Sequence, residues 1–197
     1  SANGTYSLSG DPFNRPADYT IHFERNPRFK VMNSTSLNNA KIVRNNISGN
    51  TWNYDIADGL DRMHATMFRA AYHYYFKNIG GLNRPSHHLD NVIKIISKST
   101  DNLSNNEKSF VTGRFNFWIL GRKIKIARYQ QNSTNEIVSD ELFSTTVHEL
   151  AHYSHYNIIG GNANIYHRKI DDIIAESWAT AVQWQITSIV YNEYRTY

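Results

Sequence analysis

The chain has no cysteine, and that absence alone removes several classes of chemistry. Disulfide frameworks, cysteine-ligated zinc fingers and thiol nucleophiles are all excluded. No apolar run approaches the roughly 20 residues that a membrane-crossing helix needs, so no membrane-spanning segment is predicted. Basic charge is never concentrated: Arg25, Arg28, Lys30, Lys41 and Arg44 are dispersed, as are Arg114, Arg122, Lys123, Lys125 and Arg128. The net charge of +4 therefore reads as a solvated surface, not as the basic, aromatic-interleaved stripe of a nucleic-acid binder. The remainder is ordinary for a globular protein, with 40% hydrophobic and 19% charged residues. A chain of 197 residues buries about two-thirds of its unfolded surface, so folding needs neither metal nor disulfide. The opening Ser1-Ala2-Asn3-Gly4 has no signal-peptide pattern. With the lack of cysteine, the expectation is an exported chain, secreted or in the cell envelope, whose leader has been removed.

Residues 1–18 are rich in Gly, Pro and Asn and are expected to form an extended arm or linker, leaving 19–197 as one domain. Tyr19 to Glu24 alternates as a strand does, whereas residues 33–53 are polar and Asn-rich and predict loop. From Asp58 to Phe76, the residues Leu60, Met63, Met67, Ala70, Ala71, Tyr74 and Tyr75 recur at helical spacing, and Gly80-Gly81 ends the run. His64 and His73 lie on this helix nine residues apart, too far along the axis to share an ion unaided, and read as structural or exposed. Asn91 to Ser97 predicts a strand, and Phe110 to Leu120 with Arg122 to Arg128 predict two more, joined near Gly121. A second helix begins near Ser139 or Asp140 and ends at Gly160-Gly161; a third runs from about Lys169 to Tyr191. A small mixed sheet followed by two helices is an α+β arrangement.

The second helix carries His148-Glu149-Leu150-Ala151-His152, an H-E-x-x-H sequence. Residues four apart on a helix differ by about 40° around the axis and about 6 Å along it. Two imidazoles so placed can converge on one zinc ion at about 2.0–2.1 Å. Glu149 projects beside them, where its carboxylate can take the proton of a water acidified by the metal. With nine His and seven Glu in the chain, chance supplies only about 0.01–0.02 such matches.

A catalytic zinc needs a third protein ligand. His155 shares a face with His148 but lies about 10.5 Å along the helix from it, too far to bind the same ion. His167 and Asp171 follow His152 at 15 and 19 residues, without a supporting motif. Glu176, in Ala175-Glu176-Ser177-Trp178-Ala179, is the best-placed candidate: it stands one to two turns into a helix that can fold back on the first. The metzincin arrangement is excluded, because Gly and His are missing at positions 155 and 158 and no Met follows position 67.

His148-Glu149-x-x-His152 followed by Glu176-Ser177-Trp178-Ala179 resembles the gluzincin branch of zinc metallopeptidases, and also exported metallopeptidase-like proteins of Gram-negative bacteria. The resemblance covers residues 122–180. It implies a zincin-like fold, zinc held by His148, His152 and Glu176, Glu149 as general base, and a peptide or protein substrate. It further implies that Lys123 to Arg128 is the edge strand to which an extended peptide adds. There are departures. The gap from His152 to Glu176 is long, at 23 residues, and Thr180 stands where some members place an Asp that orients a ligand histidine. The oxyanion-stabilising group is open among Tyr166, His167, Tyr191 and Tyr194. A second reading is a non-catalytic zincin-like binding or adhesion module, suited by the 13% aromatic content and the Asn-rich loops.

Overall fold

Phe29 and Val31, Ile93 and Ile95, and Ile124 and Ile126 each stand two residues apart, as side chains on one face of a strand do. The structure, a computed structural model, describes residues 16–33, 38–48, 54–57, 59–85, 92–98, 110–111, 123–129, 135–158 and 172–192. The chain divides into two units. The smaller is Ser1–His22 with Lys41–Asp55, and the larger is Phe23–Ala40 with Ile56–Tyr197.

In the smaller unit, β1 (Ala17–His22) and a strand at Lys41–Ile47 form a two-stranded antiparallel ribbon with a register shift between Ala17 and Tyr19. The second of these strands corrects the expectation of loop across 33–53. Only Ile42 is buried in it, so its polar side chains carry no strand signal. Main-chain pairing to β1 orders it instead.

The larger unit is mixed α and β. Numbered along the chain, its strands are β2 (Glu24–Arg25), β3 (Phe29–Asn33), β5 (Ile93–Lys98), β6 (Phe110–Val111) and β7 (Lys123–Ala127), with the ribbon strand as β4. They assemble in the order β2-β3-β5-β7-β6. The central three are parallel: Val31 lies opposite Ile95, and Ile95 opposite Ile124. Phe29, Val31, Ile93, Ile95, Ile124 and Ile126 are fully buried along them. β2 and β6 flank them antiparallel.

This order corrects the edge-strand expectation. β7 is paired on both sides, to β5 and to β6, and among the described residues the outer strand is β6. The alternation of Ile124 and Ile126 with lysines reports one half-buried face, but not which strands lie alongside.

Among the described residues, three helices complete this unit: α1 (Gly59–Phe76), α2 (Ser139–Ile158) and α3 (Asp172–Val190). α1 buries Met63, Met67, Ala70, Ala71, Tyr74 and Tyr75, the stripe that its periodicity defines, and Gly80 and Gly81 beyond it adopt positive φ (59° and 68°). His64 is buried on α1, with Nε2 3.0 Å from Ser97 Oγ on β5, and is a packing residue as its spacing suggested. α2 is tied to the sheet where Tyr153 donates to the Lys123 carbonyl at 3.4 Å. Ahead of α2, Glu136 is shared by Arg62 of α1 (2.7 Å) and Arg128 beyond β7.

Candidate metal centre

On α2, Leu142, Phe143, Val147, Leu150, Ala151 and Ser154 are buried, leaving His148 and His152 at the margin of that stripe. α3 presents Ala175, Ala179, Val182 and Ile186 to the interior, a ladder at helical spacing. Its first two members are alanines, and small side chains let the two helix backbones approach closely. One buried hydroxyl pins the contact. Ser154 Oγ accepts from Trp178 Nε1 at 3.3 Å and from Tyr74 at 2.6 Å, and donates to the Ala151 carbonyl at 2.8 Å. The ring of His155 stacks on Trp178 with centroids 5.8 Å apart. Farther along, Phe143 meets Tyr191 edge-on. These pairings run α3 antiparallel to α2, which brings the start of α3 to the His148–His152 turn.

Glu176 stands there. His148 Nε2 lies 3.2 Å from Glu176 Oε2, His152 Nε2 lies 3.5 Å from Glu176 Oε1, and the two Nε2 atoms are 3.2 Å apart. His148, His152 and Glu176 form the cluster of potential metal donors among the described residues. Three lone-pair donors this close repel one another unless positive charge lies among them, as a proton on one imidazole or as a cation. The spacing suits a cation well. Ligands about 2.0–2.1 Å from a tetrahedral zinc stand about 3.3–3.4 Å from one another. Two imidazoles and a carboxylate are also a donor set that zinc accepts in catalytic sites.

Electrostatics favour the ligand state. Burial, then the neighbouring His148, push the His152 pKa down to about 4, against a smaller opposing pull from Glu176. His152 is therefore neutral at pH 7 and keeps a lone pair to offer. The Glu176 side chain is 62% exposed, so one side of the cluster opens to solvent. An open groove lined by Ile173, Ser177, Thr180, Ala181 and Trp184 runs along α3 beside it.

The other sequence candidates fall elsewhere. Glu149 is on α2 between the two histidines in sequence, 7% exposed, and is not a member of the donor cluster. His155 is buried against Trp178 and is not a member of the donor cluster. His167, Asp171, Tyr166 and Tyr194 lie outside the described residues. Tyr191 follows α3 by one residue, which places it roughly 22 Å along the axis from Glu176. It accepts a hydrogen bond from Arg69 there and does not serve this cluster.

One correction concerns what contacts the histidines of the cluster. Thr180 is exposed and lines the groove; it does not orient a ligand histidine. That position belongs to Gln183, whose Oε1 is 2.9 Å from His148 Nδ1, while its Nε2 donates to Ser144 Oγ at 3.1 Å. Seven residues beyond Glu176, Gln183 differs from it by only about 20° around the helix, against about 40° for Thr180. That spacing was visible in the sequence, but the α2–α3 register that selects between the two was not. No family model, curated protein or solved structure matches the chain, so this geometry and the H-E-x-x-H sequence are what any reading of its chemistry rests on.

Proposed function

We propose that the chain is a zinc-dependent metallopeptidase of zincin-like architecture, with His148, His152 and Glu176 as ligands and Glu149 as general base. The observation that carries the reading is the closure of Nε2, Nε2 and carboxylate into a triangle of 3.2, 3.2 and 3.5 Å. Zinc bound there would supply Lewis acidity, polarising a carbonyl oxygen and acidifying a water.

The remaining roles belong to the protein. His152 stays unprotonated near neutrality and does not compete for a proton. Glu149 is carried one residue from His148 and three from His152, on the same turn of the ligand helix. It takes a proton from the attacking water and returns it to the leaving amine. Glu176, largely exposed, leaves the approach to the cluster open, and the groove along α3 offers apolar surface beside the reacting bond. Among the described residues β6 is the outer strand on that side of the sheet, and an outer strand is where an extended peptide would add.

Glu149→Gln is the discriminating variant. Peptide hydrolysis should fall by about 10²–10⁴-fold while zinc content is unchanged. Equal turnover of wild type and variant on a peptide that the wild type cleaves would end the assignment of Glu149 as base.

A further inference from the structure

Ser144, 1% exposed on α2, has a single hydroxyl proton, and it is donated to the Glu141 carbonyl at 3.0 Å. Toward Gln183 the hydroxyl can therefore only accept, which requires the amide nitrogen of Gln183 to face it at 3.1 Å. The amide oxygen is then turned to His148 Nδ1 at 2.9 Å. A carboxamide oxygen cannot donate, so the Nδ1 of His148 must carry a proton. In a neutral imidazole this leaves the lone pair on Nε2, the atom that faces Glu176 and His152 at 3.2 Å each.

The chain of protons starts at a main-chain carbonyl of α2 itself. It matters because a competing arrangement is close at hand. With the proton on Nε2, His148 would donate to Glu176 Oε2 at 3.2 Å, and its lone pair would point at the Gln183 oxygen instead of into the cluster. That tautomer cannot bind a metal through Nε2.

We propose that Gln183 is a positioning residue: anchored by Ser144, it holds His148 in the Nδ1–H tautomer and keeps Nε2 available as a ligand. The inference rests on the metal-site reading for its purpose, but the tautomer it assigns is a property of the metal-free chain. Gln183 touches no reacting atom; it acts through His148. A neutral amide in this place also differs from a carboxylate, because it orients the imidazole without drawing it toward the charged imidazolium.

The test uses the whole chain, isotopically labelled at histidine nitrogen, with Gln183→Leu, Gln183→Glu and Ser144→Ala. In mildly alkaline, metal-free buffer, the ¹⁵N shifts of wild-type His148 should report a protonated Nδ1 and a bare Nε2. Gln183→Leu should move the proton to Nε2, and Gln183→Glu, which keeps an acceptor, should return it. Ser144→Ala, which frees the amide to turn over, should give a mixture. Titrated with zinc alone, Gln183→Leu should bind about 10–100-fold more weakly than wild type, and Gln183→Glu should recover most of the loss. Thermal melts of the apo variants separate these effects from misfolding; if the leucine variant does not fold, the glutamate and alanine variants carry the same readout. A wild-type His148 protonated at Nε2, or a leucine variant with unaltered tautomer, would overturn the proposal. Failure of the wild type to take up zinc would instead count against the metal site, leaving the tautomer measurement to decide on Gln183.

Discussion

Two histidines of this chain, the buried His64 and the half-buried His152, are depressed in basicity to the same degree, each to a pKa of about 4. Burial is the larger cause in both. What differs is the company. His64 meets the hydroxyl of Ser97, which hands its own proton to the Met32 carbonyl at 3.3 Å, so that every donor there has an acceptor. His152 meets another imidazole at 3.2 Å and a carboxylate at 3.5 Å. A low pKa therefore does not mark a site. What sets the second environment apart is three groups, His148, His152 and Glu176, that could each offer a donor atom to one cation.

The largest effects should come from breaking the second environment. His148→Ala and Glu176→Ala each remove one of the three proposed ligands, and zinc affinity should fall by several orders of magnitude, read by competition with a chromogenic chelator. His64→Ala, with the same type of residue deleted from the first environment, should leave zinc content at the wild-type level and lower stability instead. The helix seam that supports the cluster comes next. Leu150→Ala empties a fully buried position between the ligands and should cost about 2–5 kcal/mol in denaturant unfolding.

The shared pKa gives a pH prediction for the metal-free protein. Both histidines titrate lower when folded than the ordinary value of 6.5, so between about pH 6.5 and 4 the unfolded chain binds more protons. Their neutral burial contributes fully above pH 6.5, and stability should decline as the pH falls through that window and level off below it. For His64 alone the decline is on the order of 3 kcal/mol. His64→Gln should flatten the melting temperature against pH; a slope as steep as wild type would show that His64 is not its source.

Ser154→Ala leaves the buried Tyr74 hydroxyl and the Trp178 indole without their acceptor, at a cost of about 1–3 kcal/mol. Smallest of all, Thr180→Ala should shift stability by less than about 0.5 kcal/mol and leave zinc affinity untouched, in contrast to substitutions at Gln183.

How far the sequence carried this account follows from which physical facts are local. The His148–His152 pair is legible because a helix repeats every 3.6 residues, and a four-residue spacing states its own geometry. Glu176 could be ranked first because it sits early in a helix able to fold back on α2. The α+β class and two of the three central strands were legible, β5 from the apolar segment Asn91–Ser97 and β7 from the alternation of Ile124 and Ile126 with lysines, whereas β3 gave no such signal. What failed to show was decided between elements. β4 is held by pairing and not by apolar side chains, so its polar residues read as loop. Whether β7 was central or at the edge depended on the two residues of β6. Gln183 and Thr180 lie on similar faces of α3, and only the antiparallel register against Ser144 and His148 distinguishes them.

The most direct measurement is elemental analysis of the purified protein after incubation with zinc and removal of the excess, beside His148→Ala and Glu176→Ala. The account predicts about one zinc per chain in the wild type and none retained by either variant. Retention of full zinc by Glu176→Ala would contradict it, because the third donor would then have to come from outside the α2–α3 seam.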